Sequence, residues 1–400
     1  MCGGNMNNFI LPLVLISLGH FFIDFYGNIL PGLMPAITKN LGLSMTLSGL
    51  LFTMLSITSS WLQPFFGYLG GRFRAPLVLA ISVMISAVFM AMVGVANSYI
   101  FLLVMVTLAG IGSSLYHPIG SVSIATLSTK NQGFIMALYI TAGTVGMTLA
   151  PISATLSKNA FGFKGLLLLG LPGITAGIIM LIYKNQLSSP GSLKISPDRR
   201  SSLFHTHFKY LVLMVIVVGF RTWVLSTFTI YTTMFYVSRG LSEAASSGIL
   251  SLFLLFQSIG GIAGGFVSDR IGVKKTLIYS ALVSIICLVV FFNIQGPVSI
   301  ACLLLSGALI QSAFPGSVVL AQRLYPQNPS IATGFMQGFT FGMGGLGGLF
   351  TGVLSDALGG NLFIAMMSTI AFLGVSLAGS LMVPMTGENQ TKGIEEIGVN

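Results

Sequence analysis

Long apolar runs separated by short polar intervals organise this chain of 400 residues. Runs long enough to cross about 30 Å of hydrocarbon as α-helix fall near residues 9–38, 43–70, 76–96, 99–127, 131–157 and 164–184. Six more fall near 209–238, 243–269, 274–294, 297–323, 329–356 and 361–384. The pattern predicts an all-α polytopic membrane protein with twelve transmembrane helices in two sets of six. The interval 185–208, NQLSSPGSLKISPDRRSSLFHTHF, carries Pro, Ser and Arg without periodicity and reads as a linker. The expected organisation is a six-helix bundle over 1–184, the linker over 185–208, a second six-helix bundle over 209–384 and a tail over 385–400.

Composition agrees with that pattern. The chain is 54% hydrophobic and 6% charged, whereas a soluble domain carries about 25% charged residues. Its 49 glycines suit helices in lipid, where no hydrophobic effect drives association and small residues let backbones approach. The net charge of +10 would suit nucleic acid if it formed one soluble patch, but it lies in short loops. Arg72, Arg74, Lys130, Lys184, Lys194, Arg199, Arg200, Lys209, Arg270, Lys274, Lys275, Arg323 and Lys392 fall on the side of the N-terminus, against Lys39, Lys158, Lys164 and Arg239 opposite. That bias places both termini and the linker in the cytoplasm, on an inner or plasma membrane, with no nucleic-acid partner. The cluster Arg199, Arg200 and Lys209 is expected to meet anionic lipid headgroups at that face. Cys2, Cys287 and Cys302 are scattered, so no disulfide framework is expected. The opening MCGGNMNN has neither a basic run nor a small-residue cleavage site, so no cleaved signal peptide is expected.

The two halves resemble each other. GYLGGRFRAPL begins at Gly67, and GFVSDRIGVKK begins at Gly265, 198 residues later. Pro118 in the fourth span and Pro315 in the tenth are 197 residues apart. An even number of spans per repeat keeps both halves in one orientation, and such parallel repeats place a substrate cavity at their interface near the bilayer midplane.

The second of those segments resembles the loop signature of the major facilitator superfamily, GxxxDRxGxKK, matched at Gly265, Asp269, Arg270, Gly272, Lys274 and Lys275. The first copy keeps Gly67 and Arg72 but has Gly71 for the acid and Arg74 for the second glycine. The likeness implies two pseudo-symmetric six-helix bundles. It also implies a gating latch in which Asp269 pairs with basic groups and the glycine allows close helix contact. GHFFIDFYGNILPGLMP, LQPFFGY (62–68), GIGSSLYHPIGS (110–121), FRTW (220–223) and VVLAQRLYP (318–326) are similar to the fosmidomycin-resistance branch of that superfamily. The likeness implies an inner-membrane drug exporter run by proton antiport. In that branch His-Pro is commonly followed by Glu, whereas Ile119 follows here.

Polar groups inside apolar spans point to chemistry. His20 and Asp24 are one turn apart on one helix face. A carboxylate in hydrocarbon costs roughly 2.5 to 3.5 kcal/mol even on lenient scales, and such groups default to function. Asp24 is the acid expected deepest in the membrane. The pair reads as a proton-coupling site, or as a pin for a helix broken by Pro31 and Pro35. His117, before Pro118, is a further proton carrier or a satisfied buried histidine. Arg221 sits in the seventh span, the counterpart of the first, and is expected across the cavity from Asp24 as the partner of an anionic substrate; the alternative is an arginine reaching the interface. Tyr116, Gln63, Gln257, Gln322 and Gln337 are expected cavity liners. The fifth span, GTVGMTLAPISA (143–154), has a small face expected to pack against a helix of the other half.

No Walker sequence and no nucleophile, base and oxyanion set is visible, so an ATP-driven pump or a membrane enzyme is not expected. His205 and His207 lie in the linker with no acid or cysteine beside them, so neither a metal nor another cofactor is expected. The reading is a monomeric secondary transporter working by alternating access. Its expected partners are a small-molecule substrate, protons and the bilayer. Proton-coupled efflux of small drugs or metabolites, anionic ones included, is the leading expectation, and uptake of an organic anion by proton symport is the alternative.

Overall fold

A computed structural model describes residues 7–70, 74–127, 132–187, 208–324 and 329–383. The first half comprises α1 (Asn7–Gly27), α2 (Ile29–Leu41), α3 (Met45–Ser60), α4 (Gln63–Gly70), α5 (Ala75–Met92), α6 (Tyr99–Thr126), α7 (Gln132–Phe161) and α8 (Leu166–Ile182). The second comprises α9 (Phe208–Ser238), α10 (Glu243–Ile271), α11 (Val273–Asn293), α12 (Pro297–Leu324), α13 (Pro329–Ala357), α14 (Leu362–Ser368) and α15 (Ile370–Met382). The pairs α1–α2, α3–α4 and α14–α15 each form one crossing, which gives the twelve expected. Among the described residues, 11 crossings are long and apolar enough to span a membrane. The remaining one, α13, is 29 residues long, but its many glycines dilute its hydropathy. Arg72, Lys194, Arg199, Arg200, His205, His207 and Lys392 lie outside the described residues.

The break in the first crossing follows its prolines. Pro31 and Pro35 lack the N–H groups that would bond the carbonyls four residues earlier, and the backbone breaks at Asn28 between α1 and α2. Pro118 and Pro151, by contrast, are carried inside continuous α6 and α7. Surfaces invert the rule for soluble proteins: Ile100, Phe134 and Met382 are among the most exposed side chains. Such a face suits hydrocarbon.

Packing divides the chain into two compact units. One contains Met1–Arg199, Ser226–Leu255 and Gly344–Met366; the other contains Arg200–Leu225, Phe256–Met343 and Met367–Asn400. The core of the first joins Ile16 and Ile23 of α1 to Leu79, Tyr116, Ile135 and Met180 on α5 to α8, and Leu187 tucks into it. The core of the second joins Leu211, Met214 and Val218 of α9 to Leu277, Ala313 and Met336.

The first unit draws in the later parts of α9 and α13 and the beginning of α10 through polar bonds. Pro35 cannot bond the carbonyl of Pro31, and the Thr233 hydroxyl donates to that carbonyl at 2.7 Å. The Gly32 carbonyl accepts from Thr155 at 3.0 Å and from Ser247 at 3.3 Å. Tyr231 donates to the Met45 and Gly348 carbonyls. Asp356 receives the backbone N–H groups of Met45 and Thr46 at 3.0 and 2.8 Å, capping the start of α3. Lys158 and Glu243 form an ion pair. These contacts cluster at the far end of the helices, the end that carries the α2–α3 and α9–α10 connections.

Candidate functional site

The site is built where α1, α6 and α7 meet in the first unit. His20 and Asp24 share a face of α1, with Nε2 of His20 3.4 Å from one oxygen of Asp24. His117 on α6 brings its own Nε2 to 3.5 Å from the other oxygen. Each carboxylate oxygen therefore faces one imidazole, and the imidazoles come from two different helices. All three donor atoms lie within 4.8 Å of one another.

The surroundings fix one ring. Nδ1 of His20 lies 2.8 Å from the Tyr139 carbonyl, which can only accept, so that nitrogen carries the proton. Nε2 of His20 is thereby turned to Asp24. The Tyr139 ring stacks on His20 at 4.0 Å, and the His117 ring meets it edge-on at 5.3 Å. His20 is buried, whereas the side chains of Asp24 and His117 are 25% and 26% exposed. The carboxylate is thus held from behind and open in front.

Gly143 makes room for this arrangement. A Cβ there would stand 2.4 Å from Oδ2 of Asp24 and 2.6 Å from the His20 ring. One turn on, a Cβ at Gly146 would stand 2.0 Å from the Phe21 carbonyl, and Gly32 meets Pro151 in the same way. The small face of the fifth span therefore packs on α1 and α2 of its own half. This corrects the expectation that it meets the other half: α7 must come this close for Tyr139 to reach His20.

Other expected residues fall elsewhere. Tyr116 is fully buried and donates to the Ile16 carbonyl, so it ties α6 to α1 and does not line a cavity. Arg221, at 2% exposure, also departs from expectation. Its guanidinium donates to the carbonyls of Ile310, Leu277 and Leu309 and to the Ser280 hydroxyl. The fork that was to hold an anion is engaged by main chain of α11 and α12. Among the glutamines, Gln63 donates to the Ser59 carbonyl at 2.8 Å and Gln322 to the Thr333 hydroxyl at 2.8 Å. Gln257 is buried with its amide nitrogen unpartnered among the described residues, and Gln337 is half-buried.

The loop signature is also placed. Gly272 has a φ of 87°, open to glycine and strained for other residues, and it divides α10 from α11. Gly265 has open space around its Cα, whereas Gly260 and Gly264 bring α10 against the α12 backbone at Ala308 and Ser312. The close contact assigned to Gly265 belongs to those two glycines. Gly67 comes near Pro118. Asp269, Arg270 and Lys275 are exposed, and Asp269 makes no ion pair among the described residues. Lys274 donates to the Leu381 carbonyl.

Sequence reasoning missed Tyr139, Gly143 as the space for the carboxylate, and Asp356. Spacing along one helix reveals His20 with Asp24, but the neighbours from α6 and α7 are set by packing.

The likenesses to known proteins agree with this architecture. The model of the Major Facilitator Superfamily matches residues 16–251 and 237–397. The MFS-type transporter YfnC of Bacillus subtilis (strain 168) is 28% identical over 375 residues, covering 91% of this chain and 90% of its own. The fosmidomycin resistance protein of Escherichia coli (strain K12) is 24% identical over 370 residues, covering 90% of each. A bacterial homolog to the human lysosomal transporter Spinster, solved in an inward-facing and occupied conformation, superposes with a TM-score of 0.78 at 15% identity, over 95% of this chain and 97% of that one. A match along nearly the whole length, on a fold of twelve crossings, makes this multi-pass membrane protein a transporter, and the chain belongs to the major facilitator superfamily.

Proposed function

We propose that the protein exports small organic molecules in exchange for protons, with Asp24, His20 and His117 as the coupling site. The observation that carries the reading is the Asp24 carboxylate with an imidazole nitrogen on each oxygen. With Nδ1 of His20 committed to the Tyr139 carbonyl, a favourable contact between its Nε2 and Asp24 requires one proton between them. That proton is carried either by an imidazolium beside a carboxylate or by a carboxylic acid beside a neutral ring. Both forms leave the pair neutral, and loss of the proton leaves one negative charge at membrane depth, where charge is costly. Proton gain and loss therefore shift the balance between conformations of an alternating-access cycle.

Antiport needs a substrate that competes with the proton, which favours a neutral or cationic solute with hydrogen-bond donors. Support for an anion rested on Arg221, and its fork is engaged. Export is favoured by the resistance protein among the relatives, and the loop charges favour cytoplasmic termini.

Purified protein in lightly buffered detergent, given a panel of neutral and cationic antibacterial drugs, tests the exchange. Binding should release protons from the wild type and none from Asp24→Asn. Proton uptake on binding would assign symport, and pH-silent binding would remove the triad from coupling. A chelator in every sample keeps a divalent ion from bridging the three donors.

A further inference from the structure

Two cysteines from adjacent helices meet in the other unit. Cys287 on α11 and Cys302 on α12 are joined by a thiol hydrogen bond and form no disulfide. The helix register places them opposite each other independently of that bond. Ser280 lies seven residues before Cys287 and Leu309 seven residues after Cys302, and Arg221 donates both to the Ser280 hydroxyl and to the Leu309 carbonyl. On the other side, Ser299, three residues before Cys302, donates at 2.9 Å to the carbonyl of Phe291, four residues after Cys287. Seven residues are close to two helical turns, so the two sulfurs share one line of contact between α11 and α12. Bonds on both sides hold them there.

The chemistry of the place limits its occupant. The neighbouring Leu288, Phe291, Phe292 and Leu303 are buried and apolar, so an occupant that leaves net charge there is costly. Zinc takes four ligands, and no third His, Cys, Asp or Glu joins the pair among the described residues. A disulfide needs an oxidant, and it needs the sulfurs drawn together to about 2.05 Å. One trivalent arsenic atom between the two sulfurs needs neither and leaves a neutral product. Access is graded: Cys302 is half-buried, whereas Cys287 is 7% exposed.

We propose that Cys287 and Cys302 form a dithiol site for trivalent organic arsenicals, with arsenic bridging α11 and α12. Two As–S bonds form while the arsenic–oxygen bond and both S–H bonds break. The oxygen and the two protons leave as one water, and arsenic stays trivalent. Cys302 reacts first, and Cys287 closes the bridge at the high effective concentration of a group already in place.

The test treats the full chain in detergent with phenylarsine oxide and weighs it intact by mass spectrometry. One arsenical per chain should survive a wash with excess mercaptoethanol and be released by ethanedithiol, which offers two sulfurs in exchange for two. Its lifetime in the monothiol wash should exceed that on Cys287→Ser or Cys302→Ser roughly a hundredfold, the gain of a second bond made within one molecule. Cys287→Ala serves if the serine variant does not fold. Cys2→Ser, at a position outside the described residues, should behave as the wild type. The bridged wild type should also melt at a higher temperature than the untreated protein, because a cross-link restrains the unfolded chain, with no rise in the single variants. Loss of the wild-type adduct to mercaptoethanol as fast as from the variants, or retention that depends on Cys2, overturns the proposal.

Discussion

Asp24 and Asp356 are two partly buried carboxylates in the same compact unit, and their neighbours differ in one chemical respect. Asp356 accepts from the backbone N–H groups of Met45 and Thr46, which can only donate, and from the hydroxyls of Ser44 and Thr46. A proton added there would displace a backbone N–H that has no other role to take. Asp24 faces two imidazole nitrogens, which can donate or accept. A proton added there finds a partner on either side. Under the proposed coupling, one carboxylate is held as an acceptor and the other has partners that suit the trade of a proton.

The comparison breaks most severely at Asp24. Asp24→Asn keeps size but cannot titrate, so we expect pH-driven accumulation in everted vesicles to vanish while substrate binding at constant pH survives. Accumulation at a near-normal rate would make Asp24 a structural residue like Asp356. Gly143→Val should come next, because its side chain occupies the space of the carboxylate and the His20 ring. Overpacking of this kind costs roughly 1 to 3 kcal/mol. Transport should fall steeply with a lowered melting temperature, and full activity in vesicles would mean that α7 can move aside freely.

Smaller effects belong to the far end. Asp356→Asn replaces one acceptor oxygen by a donor facing a donor, at a cost near the roughly 0.5 to 2 kcal/mol of a lost helix cap. The prediction is looser packing at this end, seen as faster labelling of a cysteine placed at Leu43, with proton coupling retained. Loss of coupling in this variant would erase the distinction between the two acids. Lys158→Met should do least, about 0.2 to 1 kcal/mol, because the ion pair is partly exposed and salt-screened. Its labelling rate should approach that of the wild type in high salt, and a gap that persists there would point to packing by the lysine stem.

The apolar runs, the interrupted first crossing and the His20–Asp24 pair were legible because each depends on local spacing. His117 could be named as a polar group beside a proline, but its approach to Asp24 needed α6 laid against α1. The hydroxyls of Thr233 and Ser247 were not legible. Threonines and serines in apolar helices commonly bond their own preceding carbonyls, as Thr222 and Ser246 do here, and sequence does not show which ones reach another helix. Arg221 misled for a related reason. Pseudo-symmetry between spans suggested a cavity position, whereas the carbonyls of α11 and α12 supply acceptors enough to keep a guanidinium inside. Asp356 went unread because its partners lie some 310 residues away and include main-chain N–H groups, which leave no side-chain signature.

The bond from Thr233 to the carbonyl that Pro35 leaves free has an electrical consequence. It joins neutral groups, as do the bonds of Thr155 and Ser247 to Gly32. Moving one elementary charge across a membrane potential is worth about 2.3 kcal/mol per 100 mV, but separating a hydroxyl from a carbonyl moves no net charge. The hydroxyl layer can therefore part at the same cost in an energised membrane as in a resting one. Under the proposed coupling, voltage would act through the charge at Asp24, and this layer of neutral bonds would not respond to it.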